Sequence, residues 1–133
     1  MTVQASLQKL RTIWVERISR ELAAGEGVRA GFTEELERFY ELLEQTVATG
    51  DMAWLDPILY DWGRSPTETN LEQADYYVSF VLNRMIALTI EVARDHLKNK
   101  DALELLAAVT PVLAHSLSVV VRYEMETRVA HIS

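Results

Sequence analysis

The C-terminal part of the chain is apolar on more sides than one small core requires. From Pro111 it reads Val112, Leu113, Leu117, Val119, Val120, Val121 and Tyr123. At helical spacing Leu113, Leu117 and Val120 share one face, while Val112 and Val119 lie on another. A surface helix of a monomer shows one apolar stripe and one polar face. This one therefore needs cover from two directions, either from a central place in a bundle or from a second subunit. Leaving valines in water forfeits roughly 1.5–3 kcal/mol each relative to burial. Self-association is thus expected, with Val112, Val119, Arg122 and Tyr123 at the contact. Pairing of the helix with its two-fold mate would set both C-termini side by side.

A length of 133 residues makes one domain, 1–133, large enough to bury a core without staples. There is no cysteine, which removes disulfides, thiolate metal sites and cysteine nucleophiles together and suits a reducing cytoplasm. Met1 through Arg11 lacks the apolar run of a signal peptide, and no later stretch is uninterruptedly apolar over the roughly 18 residues of a membrane span. The expected location is cytoplasmic, with no membrane partner. The formal net charge of −7 argues against a nucleic-acid partner, because phosphate binding needs clustered Lys and Arg. The imbalance is local: eight acidic residues lie between Asp51 and Asp95 against Arg64, Arg84 and Arg94.

Periodicity gives an all-α class. Leu7, Leu10, Trp14, Ile18 and Leu22 form the stripe of a first helix that should stop near Gly25 or Gly27. A second is expected to open at Gly31–Thr33, with Thr33 as N-cap, and to close at Gly50-Asp51. Its stripe is Phe32, Leu36, Phe39, Leu43 and Val47. The aromatic segment Trp54–Trp62 starts either at Asp51 with a bend at Pro57 or at Asp56 with Pro57 in the first helical position, and Gly63 should end it. Ser65-Pro66-Thr67-Glu68 reads as a capping box that opens a helix of about thirty residues, up to Lys98-Asn99. Its stripe holds Leu71, Val78, Leu82, Met85, Thr89 and Val92. Asp101 and Glu104 make another capping box, after which Pro111 either kinks the helix or starts the last one. Unequal helix lengths favour a five- or six-helix globin-like or orthogonal bundle with one long central helix over four equal rods.

No residue cluster announces a reaction, and no enzyme is expected. His96, His115 and His131 are the histidines; His96 and His115 do not fall where a haem-binding globin needs its ligands, and no Glu-x-x-His pair offers a dinuclear iron site. Gly25-Glu26-Gly27 lacks the context of a phosphate loop, and Ser116 and Ser118 point away from the direction of His115. No cofactor or metal is expected. One aromatic group remains: Trp62, Tyr77, Phe80 and Arg84 could line a small pocket in which the guanidinium meets an anion. The plainer reading is that Arg84 snorkels or pairs with a carboxylate.

The layout resembles the N-terminal domain of RsbRD-type proteins, co-antagonists of the RsbT kinase. The matching features are Trp14 in an amphipathic helix, Phe32 through Val47 followed by Gly50-Asp51, the segment Trp54–Arg64, Ser65-Pro66-Thr67-Glu68, and the apolar helix behind it. The resemblance implies a bacterial sensory or regulatory domain of the stress response, related to globin-like sensors that carry no haem. It brings no catalytic residues. No STAS-like or kinase segment follows, so the chain is either a stand-alone version or the sensor part of a longer protein. The competing readings are a structural oligomerisation module without ligand, a helical enzyme, and a haem-binding globin.

Overall fold

The computed structural model describes the backbone of residues 1–22, 26–68 and 78–132, and the side chains of residues 1–22, 31–64 and 78–127. The protein is all-α. Among the described residues five helices follow one another: α1 Val3–Leu22, α2 Glu26–Thr49, α3 Asp56–Glu68, α4 Val78–His96 and α5 Asn99–Ile132, with a short 3-10 turn over Met52–Leu55 before α3. The described residues contain no strand.

α1 and α2 form a helical hairpin whose facing stripes lie close to the expected ones. Leu7, Leu10, Trp14 and Ile18 are buried against Leu36, Phe39, Tyr40 and Leu43. α2 begins earlier than Thr33, and Gly31 lies within it. The Thr33 hydroxyl does not cap a helix; it is 2.8 Å from the Ser19 hydroxyl of α1. At the other end Gly50 adopts φ +75°, and its N–H donates to the Thr46 carbonyl at 2.8 Å. That left-handed residue ends α2, where a side chain would be strained. Asp51 then caps the 3-10 turn by accepting from the Ala53 N–H at 2.9 Å, while Pro57 takes the second position of α3. Both readings of this segment thus hold in part.

Two expected boundaries are corrected. α3 does not stop at Gly63 but runs on to Glu68, so Ser65-Pro66-Thr67-Glu68 is the last turn of α3. Leu71 and the rest of 69–77 lie outside the described residues, and the next helix is α4, from Val78. The long helix is therefore α5, with 34 residues. It begins two residues before Asp101 and continues through Pro111 without a new start. Pro111 and Ala107, whose carbonyl loses its intrahelical donor there, are both exposed, so water can serve that carbonyl.

α5 packs against each of the other four helices. This explains its two-sided apolarity. Val112 is 4% exposed and Val119 7%, so both are covered within one chain, together with Leu105, Val109, Leu113 and Val120. The expectation that Val112 and Val119 meet a second copy is corrected on that ground, since their burial is already complete. α5 is also long and apolar enough to cross a bilayer by length and composition, in contrast to the span-free sequence reading. One side of it forms the core of the bundle.

Most polar groups in the core are paired; among the described residues the buried Ser6 hydroxyl is the exception. The Trp14 indole N–H donates to the Thr89 hydroxyl at 2.9 Å, and that hydroxyl donates to the Met85 carbonyl at 2.6 Å. The Tyr40 hydroxyl donates to the Leu7 carbonyl, tying α2 to α1. Glu124 of α5, 7% exposed, accepts from the Ser79 N–H at 3.4 Å in the first turn of α4, where an orphan donor and the helix dipole both favour a carboxylate.

Burial pushes the Tyr40 phenol above its ordinary value of 10.0; the charge of Glu44 adds to the shift and Arg11 opposes it. The unfolded chain then releases a proton near pH 10 that the folded chain retains. Stability from this group is complete below pH 10 and falls as pH rises beyond it, by up to about 1.4 kcal/mol per unit. Denaturant titrations between pH 9 and 11 should show Tyr40→Phe losing stability less steeply than wild type. Parallel slopes would refute the assignment.

Candidate protein-interaction surface

The expected pocket residues are distributed over different helix contacts. Trp62 of α3 turns to α2: its ring stacks on Phe39 with centroids 5.1 Å apart, and its N–H donates to Glu35 at 3.1 Å. Arg84 of α4 is half-exposed and forms an ion pair with Glu21 of α1 at 3.7 Å. Glu21 also accepts from Arg17, whose other partner is Glu91, so Arg84 belongs to a charge network along the α1–α4 seam. Phe80 is exposed, and Tyr77 lies outside the described residues. No described contact joins Trp62 to Arg84. The plainer reading of Arg84, pairing with a carboxylate, is the one the geometry favours.

A groove of about 350 Å³ opens instead between α1 and α2, with Arg11, Glu16, Ser19, Arg20, Thr33 and Glu37 on its walls. Several of its polar groups are already engaged. Arg11 is held by Glu41 at 2.6 Å and Glu44 at 3.3 Å, and Ser19 and Thr33 satisfy one another. Among the described residues no group of three or more His, Asp or Glu side chains is placed to hold a metal. His96 is exposed at the end of α4, His115 is half-buried on α5, and His131 lies beyond the described side chains.

The unusual surface belongs to α5. Among its exposed positions Leu103, Ala107, Thr110, Ala114, Ser118, Val121 and Met125 are spaced by three or four residues, with exposed Glu104, Arg122 and Glu126 to one side. They form one strip about 33 Å long at 1.5 Å per residue. No member carries a charge, in a chain of net charge −7. Leu103 is 69% exposed and Met125 62%, which leaves large apolar side chains in water at both ends. Sequence reading passed over this strip because alanine, serine and threonine carry little hydropathy signal. The signal that could have found it is the missing charge at seven successive helical positions.

The other two expected interface residues face different ways: Arg122 borders the strip, whereas Tyr123 is half-buried on the core side of α5, against α3. Arg122 is exposed, with its guanidinium 5.6 Å from the centre of the Tyr123 ring. Tyr123 meets Tyr60 of α3 edge-on at 5.2 Å, and Arg64 lies over the other ring at 5.1 Å. Tyrosine and arginine are the residue types that most often anchor protein contacts. Comparison with protein-family models, with curated proteins and with solved structures returns no match.

Proposed function

We propose that this chain is a cytoplasmic bacterial signal-transduction domain, a sensory or regulatory module that works by protein–protein contact and forms a homodimer. The observation that carries the reading is the uncharged outer strip of α5. An acidic domain repels its own copies over most of its surface, and a strip without charge is where two surfaces can meet without opposing carboxylates. Exposed apolar side chains in a row are a standing cost that contact relieves. The same helix forms the core, so a partner on its outer face is mechanically connected to every other helix. The resemblance to RsbRD-type domains supports the stress-response setting and a globin-like relationship. The reading is non-enzymatic and calls for neither a nucleic acid nor a membrane.

Sedimentation velocity from micromolar to millimolar concentration tests this. Wild type should shift reversibly from monomer to dimer, and Val121→Glu should remain monomeric with unchanged helical circular dichroism. A wild type that stays monomeric throughout the range would remove the dimer from this account.

A further inference from the structure

We propose that α5 pairs with α5 of a second copy in the antiparallel sense, centred on Ala114; this rests on the self-contact reading above. The register is written in the strip itself. Counted outwards from Ala114, Thr110 and Ser118 stand four residues away, Ala107 and Val121 seven, and Leu103 and Met125 eleven. A two-fold axis through Ala114 therefore brings each exposed position to an exposed position. Ala114 meets its own copy, where the lack of bulk lets the two helices approach closely. The Thr110 hydroxyl comes level with that of Ser118, small Ala107 with branched Val121, and flexible Met125 with Leu103. Large faces small near the centre, and the two most exposed apolar side chains of the strip cover each other at the ends.

Charge at the rim agrees with this direction. Glu104 and Arg122 are both exposed, and at 100° per residue they lie on the same flank of the strip. Among the described residues neither takes part in an ion pair. An antiparallel two-fold keeps each flank on its own side and reverses its levels. Glu104, ten residues before the centre, then meets Arg122 of the partner subunit, eight residues after it. The offset is about 3 Å along the axis, within reach of two long side chains. The symmetry supplies this pair twice. Parallel pairing sets every residue level with its own copy, so these opposite charges stay apart. In the antiparallel pair the two C-terminal ends of α5 point away from each other, not side by side.

The chain has no cysteine, so introduced thiols report the geometry without interference. Leu103→Cys and Met125→Cys, both at exposed positions, should each stay uncrosslinked when oxidised alone. An equimolar mixture of the two should form a covalent heterodimer, and Ala114→Cys should crosslink to itself. Self-crosslinking of Leu103→Cys alone would show parallel pairing and overturn the proposal. So would a mixture that fails to crosslink while wild type sediments as a dimer, and in both cases self-association would stand. A wild type that sediments only as monomer would overturn both.

Discussion

Trp14→Ala should remove about 3–5 kcal/mol of folding stability, the range for truncating a fully buried large aromatic side chain. Domains of this kind are stable by only about 5–15 kcal/mol in total, so the loss is a large share of the whole, and a wild type at the low end of that range would leave the variant partly unfolded at room temperature. The indole is 2% exposed and joins three helices. It lies 6.3 Å from Phe39 and 5.0 Å from Tyr40 on α2, centroid to centroid, and donates to Thr89 on α4. Truncation leaves a cavity where α1, α2 and α4 converge. Trp14→Phe keeps most of the volume and loses the donor, yet the Thr89 hydroxyl still has the Met85 carbonyl as acceptor. That variant should lose only about 1–2 kcal/mol. Urea titration monitored by circular dichroism measures both. A Trp14→Ala loss below about 1 kcal/mol would contradict the packing described.

Gly63→Ala should destabilise the protein by about 1–3 kcal/mol, the usual cost of overpacking, although alanine is the better helix former by nearly 1 kcal/mol. A Cβ built at Gly63 stands 2.4 Å from the Tyr123 Cβ and 3.3 Å from the Val120 carbonyl oxygen. Neither atom is the far end of a flexible side chain, so α3 and α5 must move apart. Thermal unfolding should show a fall of roughly 3–5 °C per kcal/mol for a chain of this size. Because Tyr123 meets Tyr60 across the same contact, Gly63→Ala should also change the near-ultraviolet tyrosine signal. A melting temperature at or above that of wild type would show that helix propensity dominates and that the close approach is wrong.

Gly63 also shows what local sequence could and could not reveal. A glycine after an aromatic run reads as a terminator, because nothing nearby tells that another helix crosses there. The glycine that does end a helix, Gly50, was legible because a chain-local left-handed turn requires it. Ser65-Pro66-Thr67-Glu68 misled for the same reason as Gly63: its spacing fits a helix start, but α3 arrives there already formed. The stripes of α1 and α2 could be read because their partner lies next in the chain. For α5 the sequence correctly told that two sides need cover, but not that α1 to α4 supply it. Val112 and Val119 were therefore assigned to a second copy that their burial does not need. The outer strip escaped notice because its middle is made of small residues that a hydropathy pattern treats as neutral.

In the proposed dimer α5 serves two surfaces, a core for its own chain and an uncharged strip for a second one. Amide NMR spectra recorded over a concentration series test it most directly. Resonances of Leu103, Ala107, Ala114, Val121 and Met125 should shift together with one dissociation constant, while those of Leu36, Phe39 and Leu43 inside the α1–α2 hairpin stay in place. Spectra that do not change with concentration, or shifts centred on a face other than this strip, would contradict it.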